Sequence, residues 1–144
     1  MLRLNFPQYT FKFRNQGETI QIFCSSRKKW VKCTPEEWVR QHVLLFLNVE
    51  CGFSMGHIRV EVSWPLVGYT LRSDVVIYDQ NGVVIGLVEC KAPHVKLDNQ
   101  VSHQIMTYNQ IAKPQWLIIT NGFEHICWDV PLSTVVNHWP KKQV

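Results

Sequence analysis

The sequence predicts an α/β fold, α+β-like in its arrangement, in which helices pack on one mixed β-sheet. Apolar, β-branched runs flank two Asn-Gly pairs, at residues 81–82 and 121–122, and this combination is typical of β-hairpins. A well-capped helix is predicted from Thr34, and a second helix between two apolar strands favours a parallel crossover connection. The 144 residues, 46% of them hydrophobic, are enough for one domain with a single core.

The single domain, residues 1–144, is expected to have three parts. Residues 1–33 are predicted to form a β meander, because aromatic and polar side chains alternate from Tyr9 onwards. Residues 34–130 are predicted to form the core, with the element order α-β-β-β-α-β followed by a hairpin strand. Residues 131–144 are interpreted as a C-terminal tail.

The first helix has clear start and stop signals. Thr34 is a good N-cap, and Pro35 suits the first helical position because its missing N–H would have no intrahelical partner there. Glu37 would complete a capping box with Thr34. Gly52 is the expected stop.

The remaining elements follow from alternation and from short apolar runs. The second helix is predicted over about residues 98–112, with Asp98 as its cap. Strands are predicted at residues 58–62, 73–78, 83–91, 116–120 and 123–128.

Two acids and a lysine are the most informative residues in these strands. If Asn81-Gly82 is a two-residue type I′ turn, the register that follows places Asp74 opposite Glu89, about 5 Å apart at Cβ. Lys91 lies two residues after Glu89, so strand alternation places it on the same face. Two close carboxylates repel each other unless a cation compensates, which indicates a divalent metal site.

A surface ion-pair cluster is the alternative interpretation of these three residues, and such clusters contribute little to stability. Two features favour a functional site. Glu89 and Lys91 close a markedly apolar strand, which suits a buried sheet, and Pro93 follows directly. The acids therefore lie where a strand ends, a common place for sites in α/β sheets.

Charge and cysteine content narrow the class of protein. The formal net charge of +4 is mild, so it is compatible with a polyanionic partner without proving one. The five cysteines form no CxxC pair and no signal peptide precedes them, so reduced thiols and a cytoplasmic protein are expected. The longest apolar run, residues 43–47, is too short to span a bilayer, and no membrane association is expected.

Asp74 on one core strand and Glu89-x-Lys91 on the next resemble the PD-(D/E)xK nuclease superfamily. The surrounding sequence resembles the N-terminal nuclease domain of type I restriction enzyme R subunits, and the resemblance covers essentially the whole chain. It implies a restriction-endonuclease-like mixed β-sheet flanked by helices. The helicase motor domains of R subunits are not expected here, which points to a stand-alone relative. The motifs that carry the resemblance are residues 34–41, Arg72-Ser73-Asp74, residues 88–93, Gln104-x-x-x-Tyr108 and Thr120-Asn121-Gly122.

The resemblance also implies a metal site. Asp74, Glu89 and the backbone carbonyl of Cys90 would hold Mg²⁺, with Mn²⁺ as a substitute, because hard cations take oxygen ligands and Mg²⁺ keeps several waters. Lys91 would position the attacking water, help to deprotonate it and offset charge on the phosphate.

Further catalytic roles come from the two predicted helices. The resemblance places Gln104 and Tyr108 beside the site, where they would orient the substrate or the catalytic lysine; an ordinary helix–sheet contact is the alternative. It also implies a first-helix acid four residues before an arginine, which Glu36 and Arg40 match. Glu37 is the other candidate for that acid, but it already has the capping role.

The function that follows is a metal-dependent endonuclease that hydrolyses DNA phosphodiester bonds. Two alternatives remain open: a non-catalytic DNA- or protein-binding module of the same fold, and a nuclease acting on RNA or on branched DNA. The expected partners are DNA, restriction or helicase subunits, and a second copy of the chain, because cutting both strands needs two sites. The basic residues predicted to contact DNA are Arg27, Lys28, Lys29, Lys32, Arg40 and Arg72.

Overall fold

The structure is a computed structural model that describes residues 1–98, 103, 107 and 112–143. The described residues form two β-sheets, and the smaller one is antiparallel with the strand order β1-β2-β3. Its strands are β1 (Phe13–Gln16), β2 (Thr19–Cys24) and β3 (Lys29–Lys32). The predicted N-terminal meander is confirmed, although its first strand begins at Phe13 and not at Tyr9.

The helix α1 (Pro35–Leu45) begins as predicted. The Thr34 hydroxyl accepts a hydrogen bond from the Glu37 N–H at 3.0 Å. The reciprocal half of the capping box is replaced, because the Thr34 N–H bonds to the carbonyl of Lys32 at 3.1 Å. The Glu37 carboxylate is held by arginine side chains instead, since a cation attracts it more strongly than a neutral amide does.

A π-helical turn follows α1 directly. Residues Phe46–Glu50 form a π-helical turn in which the Cys51 N–H bonds to the carbonyl of Phe46 at 3.0 Å. Gly52 follows at a φ of 83°, the left-handed conformation expected of a glycine stop. No helix in the described part of the chain is long and apolar enough to cross a membrane.

The larger sheet has six strands in the order β4-β5-β6-β7-β8-β9. The pair β6 and β7 is parallel and the other neighbours are antiparallel, so the predicted mixed sheet and the parallel pairing of these two strands are confirmed. The last strand lies in the region interpreted as a tail, where it extends the sheet edge. The strands are β4 (Ile58–Leu66), β5 (Tyr69–Tyr78), β6 (Val84–Cys90), β7 (Trp116–Thr120), β8 (His125–Asp129) and β9 (Thr134–Val136).

The predicted second helix lies mostly outside the described residues. His103, Thr107 and Ala112 are helical, and the Thr107 hydroxyl donates to the carbonyl of His103 at 2.9 Å. The candidate site residues Gln104 and Tyr108 fall outside the described residues.

The turn between β5 and β6 differs from the predicted type I′ turn. Its loop has three residues, because the Asp79 N–H bonds to the Val83 carbonyl at 2.8 Å and Gly82 has a φ of 78°. This loop shifts the register by one residue from the predicted one. A bulge next to Tyr78 leaves Ile85 as an extra residue and restores the predicted register from Ile77 onwards.

Each side of the large sheet has its own core. The helix face, which packs against α1, includes Val75, Val88 and Cys90. The opposite face is centred on Val76, Leu87 and Leu117, and Trp64 and Trp128 are among the side chains packed against it. A sheet with both faces covered carries apolar strands, which explains why β6 reads as a nearly continuous apolar run.

Candidate active site

Asp74 lies where strand β5 stops alternating. Residues two apart in a regular strand share a face. Val75 belongs to the helix face, so Ser73 should as well, yet its hydroxyl accepts a hydrogen bond from Trp64 Nε1 at 2.7 Å on the opposite face. Asp74 lies between these two residues, which are on different faces, so its side chain does not follow the regular alternation of β5.

The neighbouring strand has a matching irregularity at Glu61. The ladder pairs Val60 with Val75 and Val62 with Ser73, which leaves Glu61 beside Asp74. Glu61 has a φ of 57°, a left-handed conformation that is costly for a residue with a side chain. Strained backbone of this kind concentrates at functional sites.

The Asp74 carboxylate accepts two hydrogen bonds that fix its orientation. Oδ2 accepts the Cys90 N–H at 2.8 Å, and Oδ1 accepts Arg40 Nη2 at 3.0 Å. The first bond joins the middle of β5 to the end of β6, and the second joins the sheet to α1. The Asp74 side chain therefore links two strands and a helix through hydrogen bonds.

Glu89 and Lys91 lie at the same end of the ladder. Val75 pairs with Val88, so Asp74 and Glu89 are the next residues on their two strands. Lys91 Nζ lies 3.6 Å from Glu89 Oε1, and the Glu89 side chain is only 13% exposed. The backbone N–H of Lys91 bonds to the Thr120 carbonyl at 2.8 Å, which fixes the chain just beyond β6.

Simple alternation predicted that Asp74, Glu89 and Lys91 share one face of the sheet, but the alternation is interrupted at Asp74. Val88 and Cys90 belong to the helix face, so regular alternation alone would direct Glu89 to the opposite face. Its ion-pair partner Lys91 is nevertheless close enough to Glu36 of α1 to oppose the rise in the pKa of that carboxyl. Asp74 lies in the break and is held by the N–H of Cys90 and by α1. The two acids are therefore neighbours around the end of the β5–β6 ladder, not a cross-strand pair on a flat surface.

The two candidate acids of α1 have different surroundings. The Glu36 side chain is 46% exposed and lies 3.2 Å from Arg40. Burial and the neighbouring Asp74 carboxylate raise the pKa of Glu36, while the charges of Arg40 and Lys91 oppose that rise. Glu37 is buried and turned towards arginines, so Glu36 is the acid beside Asp74 and Lys91.

Glu37 organises a buried charge network. Its Oε1 accepts bonds from Arg27 Nη2 at 2.6 Å and Arg40 Nη1 at 3.0 Å, and its Oε2 accepts Gln41 Nε2 at 3.1 Å. Although burial opposes the charged form, Glu37 and Asp74 raise the pKa of Arg40. The network keeps both arginines charged in a poorly solvated place.

The six basic residues predicted to contact DNA fall into two groups. Arg27 and Arg40 point inwards to acids, with side chains 14% and 6% exposed. The other four are exposed, and a direct phosphate contact is open to them without breaking a buried pair. These four are Lys28, Lys29, Lys32 and Arg72.

The Thr120-Asn121-Gly122 motif lies next to the site, because the Thr120 carbonyl accepts the hydrogen bond from the Lys91 N–H. Gly122 has a φ of 90°, and a Cβ there would lie 2.9 Å from Leu4 Cδ2. Its N–H bonds to the Thr120 hydroxyl at 3.0 Å, and Asn121 Nδ2 bonds to the Val95 carbonyl at 2.8 Å. A glycine is required because the N-terminal segment packs directly against this turn.

Two further observations limit the chemistry of the site. Complete burial raises the pKa of the Cys90 thiol well above its usual range, so this cysteine is a poor nucleophile. No three His, Cys, Asp or Glu side chains among the described residues are grouped so as to hold a metal ion. A metal here would have two carboxylates as its side-chain ligands, with backbone and water oxygens for the rest.

The sequence matches the family described as type I restriction enzyme R protein N terminus (HSDR_N) over residues 35–137, more than half of the chain. This chain belongs to that family. The HSDR_N match begins at the first residue of α1 and ends just after β9, so it includes Glu36, Asp74, Glu89 and Lys91. The resemblance was expected to extend over the meander, which the HSDR_N match does not include.

The fold is similar to that of one solved structure with a related description. This is the fragment structure of a putative HsdR subunit of a type I restriction enzyme from Vibrio vulnificus YJ016, at 18% identity and a TM-score of 0.59. The alignment covers 76% of this chain and 24% of that chain, so this chain spans about a quarter of its length. The comparison with curated proteins finds no match.

Sequence reasoning missed two features of this HSDR_N chain. Glu61 carried no signal beyond its place in an alternating strand, because a positive φ leaves no trace in residue type. The role of Arg40 had a weak signal, since the resemblance implied an arginine four residues after the first-helix acid, but this arginine was interpreted as a DNA contact. Both depend on contacts between distant segments.

Proposed function

We propose that this chain is a Mg²⁺-dependent endonuclease domain of the restriction-endonuclease type, acting on DNA phosphodiester bonds. The observation that carries the proposal is the position of Asp74, Glu89 and Lys91 around one end of the β5–β6 ladder. Membership of the R protein N-terminal family supports a role in restriction. A cytoplasmic place of action follows from a role on DNA.

The residues present fit a hard divalent cation. Asp74 and Glu89 are both largely buried and offer only oxygen atoms, and each carboxylate oxygen of Asp74 keeps a lone pair beside its hydrogen bond. They would hold Mg²⁺ or Mn²⁺ together with the backbone carbonyl of Cys90. When bound, the metal would polarise the phosphodiester and lower the pKa of a bound water.

The other side chains have supporting roles in this proposal. Lys91 stays close to Glu89 and partly exposed, so its ammonium can contact a phosphate and steady the attacking water. Glu36 stands beside Arg40 and Asp74 and is exposed enough to contact a water or a substrate. Gln104 and Tyr108 are proposed to orient the substrate from the second helix.

DNA would be held mainly by the exposed basic side chains of the N-terminal sheet. Lys28, Lys29 and Lys32 are exposed on and next to β3, and Arg72 is 65% exposed on β5. Phosphate contacts of this kind add affinity without sequence information. Because the chain belongs to the R protein N-terminal family, restriction or helicase subunits are proposed as partners, with a homodimer as the arrangement that would cut both strands.

Supercoiled plasmid, with and without Mg²⁺ or Mn²⁺, gives the direct test. The wild type should nick it only with metal, and Lys91→Ala should slow nicking by roughly 10²-fold or more, the scale for losing one group that stabilises transition-state charge. DNA affinity should change little, because each phosphate contact carries only about one unit of salt slope. Lys96→Ala, an exposed lysine five residues further along, is the matched control.

The outcomes separate the competing functions. If no metal supports cleavage of DNA, the binding-module function replaces the nuclease. If only RNA or a branched substrate is cut, the site is correct and the substrate is not. If Lys91→Ala weakens binding as much as it slows cutting, Lys91 is one more phosphate contact.

A further inference from the structure

Arg40 shares one nitrogen between two acids of the site. Its Nη2 lies 3.0 Å from Asp74 Oδ1 and 3.2 Å from Glu36 Oε1. Its Nη1 is occupied by Glu37 at 3.0 Å, and the side chain is only 6% exposed. A small movement of Nη2 towards Glu36 would release Asp74 Oδ1 without breaking the bond to Glu37.

The guanidinium is not saturated by its present contacts. Within the described residues, Arg40 Nε is a buried nitrogen without a hydrogen-bond partner. Buried donors of this kind are uncommon because their desolvation is not compensated. The observed position of the guanidinium is therefore one that a modest rearrangement could improve.

Asp74 depends on this arginine for its charge balance. Within the part of the chain that the structure describes, Arg40 is the one cation within ion-pair distance of Asp74. Glu37 has a second cation, because Arg27 Nη2 lies 2.6 Å from it. The Glu36 side chain is 46% exposed, so it can accept Arg40 with little rearrangement of the core.

We propose that Arg40 is the internal counter-ion of the Asp74 site, neutralising Asp74 when no metal is bound and moving towards Glu36 when a divalent cation replaces it. The inference rests on the proposed function, since it takes Asp74 as a metal ligand. Arg40 is thus a positioning residue and not a DNA contact. It orients the Asp74 carboxylate and competes with the metal for it.

Calorimetric titration with Mg²⁺ tests this competition. Arg40→Gln removes the competing cation and should bind Mg²⁺ at least about tenfold more tightly than the wild type, because a unit charge a few ångströms from a divalent ion repels it strongly. Arg27→Gln is the matched control: it removes the other buried arginine from Glu37 but does not touch Asp74. Its Mg²⁺ affinity should stay within about threefold of the wild type, less than the effect of a direct charge neighbour.

The variants separate failure of the inference from failure of the function. The counter-ion role is overturned if Arg40→Gln binds Mg²⁺ no more tightly than the wild type, or if Arg27→Gln gains as much affinity as Arg40→Gln. In either case, the metal site itself still stands if the wild type binds Mg²⁺ and Asp74→Asn does not. Absence of Mg²⁺ binding in both the wild type and Arg40→Gln overturns both proposals.

A measurement on the wild type covers the case in which Arg40→Gln does not fold. The side-chain N–H resonances of arginine in a ¹⁵N-labelled protein report the surroundings of each guanidinium. Saturating Mg²⁺ should shift the Arg40 Nε resonance and leave that of Arg27 in place. An unmoved Arg40 resonance at saturating Mg²⁺ overturns the inference.

Discussion

The two ends of the β5–β6 hairpin carry the same residue type in opposite situations. At the turn end, Asp79 Oδ1 accepts the N–H groups of Asn81 and Val83 at 2.8 and 2.9 Å, so its partners lie within four residues. At the open end, Asp74 accepts bonds from Cys90 and Arg40, which are 16 and 34 residues away. One aspartate shapes its own loop, and the other joins three separate segments.

The difference shows how a strand can carry a site. The turn end satisfies its backbone locally and leaves its aspartate partly exposed to water, as turn residues do. The open end gives up regular alternation at Asp74 and Glu61 and gains a buried carboxylate held by a helix. The irregular backbone at this end allows the Asp74 side chain to be held by Cys90 and Arg40 instead of following the alternation of the strand.

The largest expected effect is on catalysis, and it should occur at one end only. Asp74→Asn should lower Mg²⁺-dependent nicking by roughly 10²–10³-fold or more, because the amide supplies a weaker ligand without charge. Asp79→Asn, the same substitution at the turn end, should nick at the wild-type rate. Plasmid nicking under identical metal concentrations compares them, and equal losses in the two variants would remove Asp74 from the site.

The next effect is on stability, through the helix that holds the open end. Glu37→Gln leaves Arg27 and Arg40 without their shared carboxylate, and breaking a buried pair costs about 3–5 kcal/mol. Glu36→Gln should cost less than about 1 kcal/mol, because that acid is nearly half exposed. Urea unfolding measures both, and similar losses for the two variants would contradict the network described around Glu37.

The smallest expected effect is a pH dependence of stability that arises from His125, which contacts Thr120 near the open end of the hairpin. His125 Nε2 donates to the Asn5 carbonyl at 3.1 Å and its Nδ1 lies 2.7 Å from the Thr120 hydroxyl, so a neutral ring with its proton on Nε2 satisfies both contacts. Burial lowers the pKa of His125 in the folded protein. As the pH falls, the unfolded chain takes up the proton first, so this contribution to stability is complete above a pH of about 6.5 and declines below it.

His125→Gln checks the sign of that dependence. The free energy of unfolding of this variant should fall less between about pH 7.5 and about pH 5.5 (roughly one unit either side of an ordinary histidine pKa) than that of the wild type. His42, whose pKa burial also lowers, keeps part of the dependence in both proteins. A steeper decline in the variant would show that His125 is charged in the folded state.

Several elements could be predicted because their causes are local. The N-cap of α1 needs only Thr34 and the N–H three residues later, and the meander and the hairpins need only alternation and turn residues. The parallel pair β6 and β7 follows from a helix placed between two strands. Even so, the register beside Asp74 agreed with prediction only because a three-residue loop and a bulge compensate each other.

The residue types of the candidate site were determined by the sequence, but its geometry was decided by the tertiary structure. An acid, a second acid and a lysine at the end of an apolar strand can be read without coordinates. The break at Asp74, the strain at Glu61 and the inward turn of Arg40 cannot, because each depends on segments that meet only when α1 packs on the sheet. Local hydrogen bonds are encoded by neighbours in the chain, whereas buried charges take whichever partner the folded core places beside them.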